Sequence, residues 1–185
     1  QSDSPFASDL EEAQGYLEDD KLDAASGKLD SLEQDSSLTD EQRKQVEDMK
    51  NKLQSAKDSA QQQQENEQKK SERRQEFSSE MDELESDDLK ISSAANAEDE
   101  LAMTASSFEQ WDELLSEMYD YLAGVLNADQ YASEEENYKQ WVAERDSGAE
   151  NAASATEDST QKQLASYSFK QSYTKARCYK LLDMM

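Results

Sequence analysis

Trp111-Asp-Glu-Leu-Leu-Ser-Glu-Met-Tyr-Asp-Tyr-Leu-Ala-Gly-Val-Leu126 decides how this chain folds. Trp111, Leu114, Leu115, Met118, Tyr119, Leu122, Val125 and Leu126 recur at steps of three and four, which is the period of a helix with one apolar face. It is the strongest such stripe in the chain. Ser107-Phe-Glu-Gln110, just before it, has capping-box spacing and is expected to start the helix.

The same period extends in both directions. Downstream, Ser133-Glu-Glu-Glu136 is expected to cap a helix whose apolar face holds Tyr138, Trp141, Val142 and Ala149. Gly148 and the small residues up to Ala155 weaken it towards its end. Thr160-Gln-Lys-Gln163 is expected to open the last helix, with Leu164, Tyr167, Thr174, Cys178, Leu181 and Leu182 on one stripe. Three helices with loops of modest length favour an antiparallel bundle.

Upstream, Ser8-Asp-Leu-Glu11 fits a capping box, followed by Leu10, Ala13, Tyr16 and Leu17 on one face. Asp19-Asp-Lys21 interrupts, and Leu22, Ala25, Leu29 and Leu32 continue. Thr39-Asp-Glu-Gln42 opens a third helix carrying Val46, Met49, Leu53 and Ala56. The pair around Tyr16 to Leu32 is reminiscent of a tetratricopeptide hairpin, without that repeat's aromatic and proline signature.

Gln61 to Gln75 contains no apolar residue and reads easily as a disordered linker. A helix is the better expectation. The phase of Val46, Met49, Leu53, Ala56 and Ala60 continues through Gln63, Glu67, Lys70 and Arg74 onto Phe77, Met81 and Leu84. Gln, Glu, Lys and Arg favour helix, and no glycine or proline intervenes. One helix of about 45 residues, roughly 70 Å long, would act as a semi-rigid spacer with a solvated middle. Asp87-Asp-Leu-Lys-Ile-Ser-Ser93 then breaks the pattern. The expected chain is therefore all-α. It divides into an acidic N-terminal helical bundle over 1–60, a charged helical connector over 61–76 and a C-terminal antiparallel helical domain over 77–185.

Composition narrows the function. Four glycines and one proline among 185 residues disfavour hairpin-built sheets. An apolar content of 34%, against roughly 45–50% with glycine counted, suits slender bundles rather than one thick core. No apolar run is long enough for a transmembrane helix. The formal net charge of −25 argues against nucleic acid and anionic membrane as partners. It would attract a cationic protein, more weakly at high salt, or it simply keeps the chain soluble. Histidine is absent, which removes the commonest general base and metal ligand, so no enzyme, metal or cofactor is expected. Cys178 stands alone, with no intramolecular disulfide partner.

The distinctive residues are polar. Trp141 and Arg145 are four apart, so the guanidinium can lie on the indole. Asp146 points about 100° away and is expected to meet Arg177, while Asp112, just after Trp111, can meet Arg145. Such pairs commonly lock helix register, so an architectural role is expected first and partner contact second. Trp111, Met118 and Tyr119 read as core, and Cys178 as a small buried hydrophobe.

Residues from about 77 to 185 resemble the lysozyme inhibitor LprI-like family, small helical domains of bacterial envelope proteins. The resemblance rests on Trp111-Asp112 with Leu115 and Tyr119, on Gln140-Trp141-Val142 with Arg145-Asp146, and on Thr174 with Arg177-Cys178 and Leu181. Two positions depart from the pattern. Ala155-Thr-Glu-Asp-Ser-Thr160 stands where members often have a glycine and a small hydroxyl residue. Ala149 stands where they often have cysteine, so the disulfide such members could make is closed to Cys178.

The resemblance implies an exported, frequently lipid-anchored protein that binds and blocks a cationic lysozyme. Its recognition residues would come from Trp111, Asp112, Tyr119, Trp141, Arg145, Asp146, Thr174 and Arg177. The polar start Gln1-Ser-Asp-Ser fits a trimmed, surface-displayed protein with a lipidated cysteine upstream of Gln1; an arbitrary boundary fits as well. The alternative is an acidic helical spacer or scaffold of the envelope without inhibitor activity.

Overall fold

Four strong N-caps set the boundaries of the longer helices. In the computed structural model, which describes residues 5–185, α1 spans Pro5–Glu18, α2 Leu22–Glu33, α3 Asp40–Asp88, α4 Ala97–Val125, α5 Ala128–Ala153 and α6 Ser159–Met184. A 3-10 turn, Leu89–Ser93, separates α3 from α4. The fold is all-α, with no strand among the described residues.

Thr39 caps α3 as expected, its hydroxyl accepting from Gln42 N while Gln42 Oε1 accepts from Thr39 N. The other expected caps are corrected. α1 already runs from Pro5, so Ser8 lies inside it. Asn96, not Ser107, caps α4; Asn127, not Ser133, caps α5 in a capping box with Gln130; Asp158 rather than Thr160 caps α6. For α4, α5 and α6 the reason is the same. A serine three residues before Glu or Gln recurs by chance inside acidic helices, whereas Asn or Asp at a true start satisfies otherwise unpaired backbone N–H groups.

The molecule divides into residues 1–69 and 70–185. In the first, Ala13, Ala25, Leu29, Leu32, Val46, Met49 and Leu53 form one core from α1, α2 and the start of α3. Asp20, at φ 60°, takes the left-handed position that ends α1. Lys21 N donates to Tyr16 O and Asp20 N to Leu17 O, the paired bonds of a Schellman ending. Two lysines reinforce this unit: Lys28 reaches Asp9 and Glu12 of α1, and Lys50 reaches Asp30 and Glu33 of α2.

α3 is one uninterrupted helix through residues 61–76, as its register predicts, and every side chain from Gln61 to Lys69 is exposed. Its stripe reappears at Phe77 and Met81, both fully buried in the second unit.

There the bundle has four walls rather than three, because the end of α3 packs against α4 and α6. Residue pairs give its direction. Phe77 meets Tyr121 while Asp88 meets Ser107 and Trp111, so α3 and α4 run antiparallel. Asp112 with Arg145 and Tyr119 with Glu134 do the same for α4 and α5. Glu144 with Tyr173 and Glu134 with Arg177 do so for α5 and α6. The core is Phe77, Met81, Trp111, Leu115, Met118, Leu122, Trp141, Cys178 and Leu181.

Candidate functional site

Three polar clusters cross this bundle, and the residues singled out in the sequence belong to them. In the first, Arg145 on α5 donates from Nη1 to Asp112 Oδ1 at 2.7 Å and to Thr174 Oγ1 at 3.3 Å. Its guanidinium lies 5.0 Å from the centre of the Trp141 ring and 5.3 Å from that of Phe108. The expected meetings of Arg145 with Trp141 and with Asp112 are both present. Thr174 is fully buried, so its hydroxyl and the guanidinium satisfy one another away from water.

The second cluster corrects an expectation. Arg177 does not pair with Asp146. Its Nη2 donates to Glu134, and its Nε donates to the Tyr119 hydroxyl at 2.9 Å, which in turn donates to Glu134 at 3.1 Å. Asp146 instead accepts from Arg145 Nε at 3.3 Å on a half-exposed surface. Glu134 sits on the bundle face in step with Tyr138, Trp141 and Arg145, whereas Asp146 is turned one residue away from it. Burial pushes the Tyr119 phenol well above its usual range, although Arg177 opposes the shift. The Arg177 guanidinium also lies 5.8 Å from the Trp141 ring.

Asp88 holds the third cluster, and nothing in the sequence reading singled it out. It accepts from Ser107, from the Trp111 indole N–H at 3.0 Å and from Gln171 Nε2 at 2.8 Å, with Lys175 at 3.5 Å. One carboxylate thus joins α3, α4 and α6. Cys178 is fully enclosed and donates weakly to Trp111 O at 3.6 Å. Burial pushes its thiol up to about 12, so it stays protonated and unreactive near neutrality.

Two features remain open to solvent. Between α3 and α4 a groove of about 290 Å³ sets Glu80, Glu83 and Asp87 opposite Glu113 and Glu117, over a floor of Leu84 and Leu114. Arg73 is shared among Glu76, Glu80 and Glu117, and Lys90 reaches Asp87. Among the described residues no cation pairs with Glu83 or Glu113. The Glu80 carboxyl is raised by its burial and then by the field of Glu117. Between α5 and α6, a second hollow borders Trp141 and Arg177. Among the described residues no group of three carboxylate or thiol ligands gathers as a metal site would require, and no helix is long and apolar enough to cross a membrane.

Comparison of the chain with protein-family models, with curated proteins and with solved structures finds no match.

Proposed function

We propose that residues 77–185 form an LprI-like, non-enzymatic binding module of the bacterial cell surface, and that its partner is a cationic protein, lysozyme being the first candidate. The acidic groove between α3 and α4 carries this reading. Five carboxylates surround an apolar floor there, with two cations to offset them. A lysine- or arginine-rich surface laid in that groove would relieve the repulsion between Glu80 and Glu117 and cover Leu84 and Leu114. Complementary charge of this kind chiefly raises the association rate and makes binding salt-sensitive.

Arg145 and Arg177 hold helices together through Asp112, Thr174, Tyr119 and Glu134, so the lysozyme reading rests on the acidic groove rather than on them. The resemblance of Trp111-Asp112, Trp141, Arg145-Asp146 and Arg177 to the family pattern supports the same assignment. Its test is a cell-wall lysis assay with lysozyme at low and at physiological salt. Inhibition that weakens with salt and is lost on Glu113→Lys with Glu117→Lys is expected. No inhibition at high micromolar protein under either condition would discard the inhibitor reading.

A second reading, an acidic helical spacer or scaffold of the envelope, is favoured by α3. That helix continues through nine consecutive polar residues with no buried side chain, held by their own helix preference, as a spacer requires. Insertion of seven residues near Gln63, harmless to a spacer's folding, would leave lysozyme inhibition unchanged and alter only functions that depend on reach.

A further inference from the structure

The hollow between α5 and α6 has chemistry unlike the rest of this anionic molecule. It measures about 430 Å³, within the usual range of small-ligand sites, and is lined by Asn137, Trp141 and Glu144 from α5 and by Tyr173, Arg177 and Lys180 from α6. Ala176, small and exposed, leaves it open between the last two.

Four rings run beside it in a file. Tyr138, Trp141, Tyr173 and Phe169 follow one another at centroid spacings of 5.8, 5.6 and 5.4 Å, with planes 20°, 15° and 18° apart. Trp141 and Tyr173 from this file line the hollow and offer apolar contact to the body of a ligand.

Arg177 is 6% exposed, and its Nε and Nη2 are taken by Tyr119 and Glu134. Its Nη1 makes no hydrogen bond among the described residues. No enclosed side-chain nitrogen or oxygen there lacks a partner, so Nη1 keeps some access to solvent, and Arg177 lines the hollow. Lys180, three residues further along the same helical face, is exposed, and no carboxylate among the described residues pairs with it.

The other end is anionic. Glu144 accepts from the Tyr173 hydroxyl at 3.1 Å and from Gln140 at 3.2 Å, and it retains capacity for a further donor. Since α5 and α6 run antiparallel, Glu144 lies with Tyr173, at the end of the hollow away from Lys180.

We infer that this hollow binds an organic carboxylate, its oxygens between Arg177 Nη1 and the Lys180 ammonium and an N–H or O–H on its body directed at Glu144. The Glu134 carboxylate behind Arg177 is already engaged on the guanidinium's inner edge, which leaves the outer edge for the ligand. A peptide C-terminus and a sugar acid both carry this chemistry. The site is separate from the acidic groove, so lysozyme inhibition and carboxylate binding stand or fall independently.

The test titrates the full chain, observed by amide NMR, with N-acetyl-alanyl-alanine and with glucuronate, each beside its neutral carboxamide. Shifts confined to residues of α5 and α6, saturating at about 10 mM or below for a carboxylate and absent for its carboxamide, are expected. Lys180→Gln should weaken binding about threefold, and Ala176→Glu should abolish it by filling the hollow with like charge. Both positions are exposed, so unchanged helicity checks the fold. Whichever carboxylate binds more tightly identifies the source. Absence of saturable shifts with both acids, equal binding of the carboxamides, or undiminished binding by the Ala176→Glu chain would overturn the assignment.

Discussion

Glu134 and Arg177 meet from α5 and α6 with no more than a tenth of either side chain exposed. Breaking such a pair leaves a charge buried without compensation, at about 3–5 kcal/mol. Glu134→Ala should therefore destabilise residues 70–185 by that order. Replacing both partners, Glu134→Leu with Arg177→Met, should recover most of the loss. Tryptophan fluorescence during urea unfolding is the measurement, because Trp111 and Trp141 both lie in this unit. A single change that moves the midpoint no more than a surface substitution would show that the pair does not hold the bundle.

Asp88 should matter nearly as much although it is a single acceptor. Asp88→Ala strips the acceptor from the Trp111 indole and the Ser107 hydroxyl, and leaves Gln171 Nε2 only Ser107 at 3.3 Å. Each enclosed donor left unpaired costs about 1–3 kcal/mol. Asp88→Asn keeps one oxygen and should lose less. The ordering alanine below asparagine below the natural chain, read by the same unfolding curves, is the prediction; equal stability of all three contradicts it.

Gly148 is helical, so alanine there would ordinarily stabilise by roughly 0.5–1 kcal/mol. Here a Cβ would stand 2.2 Å from Phe169 Cζ and 2.3 Å from Cε1. Phe169 is stacked on Tyr173 and cannot swing away freely. Overpacking of this kind costs about 1–3 kcal/mol, so Gly148→Ala should be destabilising on balance. In a chain already carrying Phe169→Ala the same change should become stabilising. That reversal of sign in thermal melts separates ring contact from any other role for the glycine.

Cys178 gives a pH prediction. Burial raises its folded pKa to about 12 from an ordinary value of 9.0. The unfolded chain therefore loses the thiol proton first. The stability linked to this group is fully present below about pH 9 and declines as pH rises towards 12. Thiol reagents should accordingly label the native chain at pH 8 only as fast as it opens, and urea should restore the rate of a free thiol. Rapid native labelling would contradict the enclosed geometry.

Much of this was legible from residue spacing. The stripe from Trp111 to Leu122 is the wall of the core, whereas Val125, expected on it, is exposed at the end of α4; the phase that runs from Val46 to Met81 across a wholly polar middle is one helix. Trp141 with Arg145, and Arg145 with Asp112, follow from steps of four and from facing helices. The partner of Arg177 did not follow. Among 44 acidic residues, Asp146 looked natural because it adjoins Arg145. A usable signal existed all the same: Glu134 continues the Tyr138, Trp141 and Arg145 phase, and Asp88 continues that of Phe77, Met81 and Leu84. A carboxylate in step with an apolar stripe is pointed at the core and must find a partner there.

Helix period, helix type and the sign of the surface belong to the chain itself, because side-chain polarity repeated every three or four residues is a local property. Which carboxylate meets which guanidinium, which ring lies against Gly148 and which cation is left facing a hollow belong to the folded bundle. Those depend on how four helices are rotated against one another, and that rotation is set by the packing of Phe77, Trp111, Met118 and Leu181 together, not by any one helix alone.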